Sequence, residues 1–260
     1  MTTLLVDVGN TRIKWAQLVT DELDGVQALH HGGDPAVAAE GLRRELVRGP
    51  SQIVVANVAG SRIATALTEI ALAEAGVLPQ FLVSQAEACG VRNAYLQPER
   101  LGVDRWAAMI AGRARAEATR PGAASCIISA GTAVTVDAIR GDGVHLGGII
   151  VAGPGLQAAA LAARTSAIDS VSIEVSHPGG ALNTLGHSTE EAVAFGAWHA
   201  AAGAVARVLD SVERSLGARP MVYVCGGYAS RLNEWIDRPR LEIRNDLVLE
   251  GMALISRRQG

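Results

Sequence analysis

The feature that most constrains the fold is a strand–turn–strand pattern that occurs twice, once at the start of the chain and once near its middle. Residues 4–15 contain two apolar segments around the polar turn 7–12, and residues 126–137 show the same arrangement. An ungapped comparison pairs three residues of the two turns: Gly131 with Gly9, Thr132 with Asn10, and Ser129 with Asp7. Such an internal repeat predicts two related domains that open with the same hairpin.

The first turn carries the groups that a phosphate site needs. Gly9 permits backbone torsions closed to other residues, and Asn10 and Thr11 place short polar side chains beside backbone N–H groups. Asp7, at the end of the preceding strand, is suited to a cation that accompanies phosphates. The same residue types form ordinary hairpin turns for local reasons, so this turn alone leaves both interpretations open.

Composition narrows the class of protein. The chain has 260 residues, which is enough for one large or two compact domains. Because 49% of the residues are hydrophobic and the net charge is only −3, the composition excludes a disordered protein and a protein that binds polyanions through a large positive charge. The three cysteines and six histidines lack the spacing of metal ligands. The first residues do not show the basic region and apolar segment of a signal peptide. Apolar runs such as 146–156 are interrupted by Gly and Pro and are too short to span a bilayer. We therefore expect a cytoplasmic protein that binds neither nucleic acid nor membranes.

Strands and helices alternate along the chain, which predicts an α/β fold with a mostly parallel sheet and ligands at the carboxyl ends of the strands. After a loop at 21–25, the first half has these predicted elements: a helix from Asp34-Pro35 to Arg48, a strand at 52–58, a helix at 62–75 capped by Ser61, and a strand at 81–83. The second half has strands at 146–151, 221–225 and 241–243, and helices at 156–163, from Ser188 onward, at 231–236 and at 247–255. The break at 119–122 predicts domains 1–119 and 120–260.

A candidate catalytic acid stands where the sequence changes from irregular to helical. Asp104 falls at or near the N-terminus of a helix with Trp106 on its apolar face, where the helix dipole favours a carboxylate. It is either a capping acid or part of a polar site with Tyr95, Arg100 and Arg105.

Later segments are open to two interpretations each. The glycines of 153–155 indicate close approach of the backbone to a ligand or to a neighbouring strand. Gly226-Gly227, after a buried strand, would let a base or a phosphate lie against the backbone. The alanine-rich helix after Thr189 fits core packing or a subunit interface.

These pieces suit phosphoryl transfer. Glycine turns at 9–11 and 131–132 would bind the phosphates of one nucleotide, and 226–227 would bind its adenosine. Phosphoryl transfer requires charge neutralisation and alignment, together with an acceptor oxygen activated by a carboxylate. Asp104, with Arg105 beside it, is the expected base.

Four motifs, in order along essentially the whole chain, resemble those of type III pantothenate kinases. They are Asp-Val-Gly-Asn-Thr at 7–11, Gly-Val-Asp-Arg-Trp at 102–106, Gly131-Thr132-Ala133 with Thr135 and Asp137, and Gly147-Gly148 before Pro154-Gly155. The resemblance implies two duplicated ribonuclease-H-like domains with an interdomain ATP cleft, the fold of actin, sugar kinases and large heat-shock chaperones. It also implies transfer of the ATP γ-phosphate to pantothenate, the first step of coenzyme A synthesis, with Mg²⁺, in a homodimer.

The resemblance also implies roles for particular residues. ATP would be contacted by Asp7, Val8, Gly9, Asn10, Thr11, Arg12, Ile13, Lys14 and Thr132. Pantothenate would be surrounded by Tyr95, Gly102, Val103, Asp104, Arg105 and Thr189, with Asp104 as proton acceptor and Asp7 as the Mg²⁺ ligand.

One position departs from the family pattern. The family commonly has aspartate two residues before the Gly-Thr-Ala glycine, where it binds a monovalent cation such as K⁺ or NH₄⁺, and this chain has Ser129. A hydroxyl is neutral and a weaker ligand for a hard cation. We therefore expect weak cation binding there, or binding that depends on backbone carbonyls and water.

Two other functions remain open from the sequence. The chain could be an ATP-binding regulatory protein without kinase activity, or a kinase of the same fold that acts on another small alcohol. The presence of both Asp7 and Asp104 favours an enzyme, because a pure binding module needs no base.

Overall fold

The structure, a computed structural model, describes residues 2–166, 168, 171–175, 185–236, 238 and 241–258. The chain divides into two compact units, Met1–Arg115 with Asp246–Gly260, and Ala116–Asn245. Part of the segment 165–186 lies outside the described residues.

The first unit contains a five-stranded sheet in the order β3-β2-β1-β4-β5 and a separate two-stranded β6-β7 hairpin. Its elements are β1 Thr3–Val8, β2 Arg12–Val19, β3 Glu22–His30, α1 Pro35–Val47, β4 Gln52–Asn57, α2 Ser61–Ala75, β5 Gln80–Phe81, β6 Glu87–Ala88, β7 Val91–Arg92, a 3₁₀ turn Pro98–Arg100 and most of α3 Val103–Thr119, whose last residues, from Ala116, are counted with the second unit.

The second unit contains a five-stranded sheet in the order β10-β9-β8-β11-β12. Its elements are β8 Ser125–Ala130, β9 Ala133–Ile139, β10 His145–Ala152, α4 Pro154–Arg164, α5 Thr189–Leu216, β11 Met221–Cys225, α6 Ala229–Trp235 and β12 Leu241–Ile243; the last helix of the chain, α7 Leu247–Ser256, belongs to the first unit.

The two sheets have the same topology, and this equivalence confirms the predicted duplication and fold class. In each sheet the first three strands in sequence are antiparallel neighbours, and the fourth pairs in parallel with the first. Strands β1 and β4 are apolar on both faces, as expected for central parallel strands. Both glycine turns therefore follow the carboxyl end of a central strand.

The predicted boundary misplaces the end of the chain, because α7 packs on β1, β2 and β4 of the first unit. Its residues Leu247, Leu249 and Met252 are fully buried. A Cβ added at Gly251 would lie 1.8 Å from the Ala107 carbonyl oxygen, so α7 approaches α3 more closely than any side chain there would permit.

Two local predictions in the first unit are wrong. Residues 22–25 belong to strand β3, since Thr20 and Asp21 take positive φ values of 45° and 72° and form a tight hairpin turn. Most of β3 is exposed at the sheet edge, so it lacks the apolar alternation that reveals strands. Ser61 is the first residue of α2 rather than its cap, which is Gly60 without a side-chain hydrogen bond.

Other helix signals act as the sequence predicts. Asp34 caps α1 by accepting a hydrogen bond from the Ala36 N–H (2.8 Å), with Pro35 in the first turn. Ser188 caps α5 by accepting from the Glu191 N–H (3.2 Å), and the Glu191 carboxylate accepts from the His187 N–H (2.8 Å).

Among the described helices, α5 alone is long and apolar enough to cross a membrane. Its apolar stripe, which includes Trp198, Val205 and Leu209, is buried in the core of the second unit. The Trp198 indole N–H donates to the Ile173 carbonyl (3.0 Å) within that core. These contacts make α5 a core helix of this unit.

Candidate functional site

The first glycine turn is closed by backbone hydrogen bonds. The Gly9 N–H donates to the Arg12 carbonyl (2.9 Å), and the Thr11 carbonyl accepts from the N–H groups of His31 (2.9 Å) and Gly32 (3.1 Å). Strands β1 and β2 pair Asp7 directly opposite Lys14. The loop after β3 therefore supports the turn, a role the sequence did not reveal.

Asp7 lies half-buried at the end of β1, beneath this turn. Burial raises the pKa of its carboxyl to about 7, with a further increase from the negative charge of Asp104 and an opposing decrease from Lys14. The first unit thus brings the two predicted carboxylates close enough to interact electrostatically. Lys14 also lies 3.7 Å from the Asp246 carboxylate, measured from Nζ to Oδ1.

Asp104 sits in the first turn of α3, as predicted, and its surroundings are polar. Its Oδ1 accepts from the Arg105 N–H (2.7 Å), which fixes the carboxylate at the helix start. A Cβ built on Gly102 would come within 2.8 Å of that same oxygen, so glycine at 102 leaves room for the carboxylate. Asp104 therefore lies at the helix start, as predicted, with a half-buried carboxylate that interacts with that of Asp7, and its part in a polar site stays a prediction.

Arg105 and Tyr95 form a second pair next to this carboxylate. The Arg105 Nη1 donates to the Tyr95 hydroxyl (3.1 Å), and the guanidinium lies 5.9 Å from the centre of the tyrosine ring. Arg105 is buried although it is charged. Tyr95 is in turn held by its own N–H, which donates to the Asn93 side chain (3.0 Å). A buried cation at this position suits an anionic group of a small substrate.

The second glycine turn is packed by two other glycines. The Gly131 N–H donates to the Ala133 carbonyl and the Gly153 N–H to the Thr132 carbonyl, both at 2.9 Å. A Cβ at Gly153 would lie 2.3 Å from the Gly131 carbonyl oxygen, and one at Gly226 would lie 2.3 Å from the Ala130 oxygen. Gly153 therefore makes room for neighbouring backbone, one of the two interpretations given for residues 153–155, and Gly226 likewise lies against the backbone of this turn.

The two turns differ in length, which corrects the ungapped comparison. Four residues, 9–12, separate the paired residues Val8 and Ile13, whereas three, 131–133, separate Ala130 and Val134. When the turns are aligned on the strands that follow them, β2 and β9, Thr132 corresponds to Thr11. The carbonyl of each threonine accepts a hydrogen bond from a backbone N–H just after the third strand of its unit, β3 or β10. Asn10 is the additional residue of the first turn.

The remaining predicted residues lie in the second unit. Ser129 is half-buried at the end of β8, opposite Thr135 on β9 and Cys225 on β11. Thr189 is exposed at the first position of α5 and lines a groove of about 490 Å³ between α4 and α5. Asp137, from one of the motifs, is buried and pairs with His145 (3.2 Å from Oδ1 to Nε2).

A cavity of about 1110 Å³ in the second unit lies away from these residues. It is lined by the last turns of α5 and by Met221, which begins β11, so it is at the opposite end of the strands from the Gly131 turn. None of the predicted site residues lines it. The size of a cavity alone therefore does not identify the candidate functional site.

The donor set of the first unit suits Mg²⁺. A hard divalent cation prefers carboxylate and phosphate oxygens and usually binds through one or two carboxylates plus substrate phosphates. Asp7 carries a carboxylate whose ionisation is opposed by burial and by Asp104, so a cation would relieve an excess of negative charge. Within the described residues there is no cluster of three or more His, Cys, Asp or Glu side chains that could hold a metal by itself.

Duplicated sheets with glycine turns at the carboxyl ends of their central strands, and a helix-borne carboxylate in the first unit, define a phosphotransferase of the actin-like ATPase fold. Solved structures agree on the fold. A conserved Campylobacter jejuni protein assigned to the Baf family of transcriptional activators has 19% identity and a TM-score of 0.58, and covers 98% of each chain. The inorganic polyphosphate/ATP-glucomannokinase of Arthrobacter sp. strain KM has 18% identity and a TM-score of 0.50, over 100% of this chain and 99% of that one.

The family is established by sequence. The family model for type III pantothenate kinase matches residues 3–211. The type III pantothenate kinase of Aromatoleum aromaticum is 38% identical over 98% of this chain and 97% of the relative. That of Nitrosococcus oceani is 33% identical over 98% of this chain and 93% of the relative. This chain belongs to the type III pantothenate kinase family, as its motifs predict.

Proposed function

We propose that this chain transfers the γ-phosphate of ATP to the primary hydroxyl of pantothenate, which yields 4'-phosphopantothenate and ADP and begins coenzyme A synthesis. The observation that carries the proposal is the convergence, within the first unit, of the glycine turn, Asp7 and Asp104. A phosphate-binding turn beside a carboxylate that can accept a proton provides the two requirements of phosphoryl transfer to an alcohol.

Asp104 acts as the general base. It accepts the proton of the pantothenate hydroxyl as the oxygen forms a bond to the γ-phosphorus, while the bond from that phosphorus to the bridging oxygen of ADP breaks. The hydrogen bond from the Arg105 N–H holds one oxygen of Asp104 at the start of α3.

Binding of the two substrates is divided among the remaining residues. Residues 7–14 bind the phosphates of ATP, and Thr132 contributes a further ATP contact. Arg105 and Tyr95 bind pantothenate with Gly102, Val103 and Thr189, and the buried guanidinium neutralises the pantothenate carboxylate. Mg²⁺, held by Asp7 and the phosphates, would neutralise charge on the transferring group.

The proposed activity is tested with purified protein, ATP, Mg²⁺ and pantothenate. We expect ADP release in a coupled assay and a product that mass spectrometry identifies as phosphopantothenate. The matched control is pantothenate with its primary hydroxyl replaced by hydrogen, which should bind without turnover. Protein that binds ATP but never phosphorylates pantothenate would refute the proposal. ADP release with another small alcohol alone would assign a different acceptor.

We further propose that Ser129 does not form a tight site for K⁺ or NH₄⁺. A neutral, half-buried hydroxyl offers less attraction to a monovalent cation than a carboxylate, so rates in Na⁺ and K⁺ should agree within about twofold. The same assay with either salt measures this, and Ser129→Asp should gain a dependence on K⁺. A strict K⁺ requirement in the unmodified protein would contradict the expectation.

The protein is proposed to act in the cytoplasm, as a homodimer. The feature that supports a dimer is the apolar surface of α4 beside α5, because Leu156 and Leu161 of α4 are 48% and 43% exposed.

A further inference from the structure

The loop after β3 contacts the first glycine turn through a histidine that the motifs do not include. His31 is 4% exposed, and its Nε2 lies 2.9 Å from the Gly9 carbonyl oxygen. Its backbone N–H and that of Gly32 donate to the Thr11 carbonyl. One short loop thus holds both carbonyl groups that flank Asn10.

The hydrogen bonds of His31 define which ring nitrogen carries the proton. The Gly33 N–H donates to Nδ1 (3.0 Å), so Nδ1 is an acceptor. Neutral imidazole then carries its hydrogen on Nε2, which donates to the Gly9 carbonyl. The positive φ values of Gly32 (58°) and Gly33 (88°) allow the loop to fold back onto the ring.

Fixing the Gly9 carbonyl also fixes the next N–H group. The Gly9 carbonyl and the Asn10 N–H share one planar trans peptide and point in opposite directions. With the carbonyl drawn toward His31, the Asn10 N–H is directed to the other side of the turn. A rotated peptide would instead present a carbonyl oxygen, which repels phosphate.

We propose that His31 is a positioning residue for nucleotide binding: its Nε2–H holds the Gly9 carbonyl so that the Asn10 N–H is presented to a phosphate oxygen of ATP. The inference rests on the proposed function. In both turns the carbonyl that ends the first strand accepts from a backbone N–H, Val8 from Val58 and Ala130 from Tyr228, so the His31 contact at the Gly9 carbonyl is an additional bond of the longer first turn.

The test uses two substitutions that separate the hydrogen bonds of the ring. In His31→Gln, the side-chain amide can still donate to Gly9, whereas His31→Asn is too short to reach it and keeps an acceptor for Gly33. We expect His31→Asn to raise KM for ATP and Kd for Mg·ADP about 5- to 20-fold, the loss of one buried hydrogen bond, with KM for pantothenate unchanged. His31→Gln should restore most of this loss. The exposed neighbour provides the control, His30→Asn, which should change neither constant.

Calorimetry with Mg·ADP separates this inference from the proposed function, because it needs no acceptor. If the unmodified protein binds Mg·ADP but does not phosphorylate pantothenate, the proposed function fails while the His31 comparison still stands. Equal nucleotide affinity in His31→Asn and the unmodified protein would overturn the inference. So would equal losses in both variants, or a parallel rise of KM for pantothenate, since these indicate general damage to the fold.

Discussion

We expect Asp104→Asn to lower kcat for pantothenate phosphorylation by about 10²- to 10⁴-fold, the range for loss of a general base. Asparagine preserves the size of the side chain and can still accept the hydrogen bond from the Arg105 N–H, so the start of α3 should persist. Affinity for Mg·ATP should stay within about threefold or improve slightly, since a negative charge near the phosphates is removed. Steady-state kinetics and calorimetry with Mg·ATP measure the two effects.

Two further variants sharpen the assignment of Asp104. Glu99→Gln removes an exposed carboxylate from the preceding 3₁₀ turn and should leave kcat unchanged. Gly102→Ala keeps the carboxylate but places a methyl group within 2.8 Å of the present position of Oδ1, so it should lower kcat by displacing that oxygen. Turnover by Asp104→Asn close to that of the unmodified protein would exclude Asp104 as the base.

The second large effect concerns Asp7, where we expect Asp7→Asn to stabilise the ligand-free protein at pH 8 while abolishing activity. The pKa of this carboxyl rises from 3.8 to about 7 in the folded protein, mainly through burial and then through Asp104. The folded state therefore resists the ionisation that the unfolded chain undergoes freely. Asparagine is neutral at every pH and removes that conflict.

The sign of the pH dependence follows from proton binding. Between pH 4 and pH 7 the folded protein retains a proton on Asp7 that the unfolded chain has lost, so stability falls as pH rises through this window. Below it both states are protonated, and the variant and the unmodified protein should have similar stability. Above pH 7 the full difference applies, at most about 4 kcal/mol for a shift of this size.

Denaturant unfolding at pH 4.5 and pH 8 measures the free energies of unfolding. We expect the gain from Asp7→Asn at pH 8 to be about 2 to 4 kcal/mol, and activity with Mg·ATP to be lost because the cation ligand is gone. Asp24→Asn, on the exposed strand β3, controls for removal of one negative charge. A variant that is equally destabilised at both pH values would show that Asp7 is not held against ionisation.

Several elements were predictable because their causes are local. Asp34 and Pro35 start α1, Ser188 starts α5, and Gly76 ends α2 in a left-handed conformation, each through contacts within a few residues of the chain. Central strands such as β1 and β4 are apolar because both of their faces are covered. Asp104 was placed correctly for the same reason, since helix N-termini favour acids.

Edge strand β3 and helix α7 were not placed correctly, because their positions depend on partners distant in sequence. Strand β3 is stabilised by pairing with β2 rather than by its own apolar pattern. The amphipathic pattern of α7 suits packing in either domain, and only its contacts with β1, β2 and β4 assign it to the first unit.

The sequence by itself determined the repeated hairpin, the fold class and the family, because glycine turns and apolar strands are encoded in short segments. The tertiary structure decided what surrounds those segments. It showed that Asp7 and Asp104 interact, that Gly153 and Gly226 pack against the second turn, and that His31 supports the first. Burial, charge–charge interaction and close backbone approach arise only when distant residues meet, so no local pattern in the chain announces them.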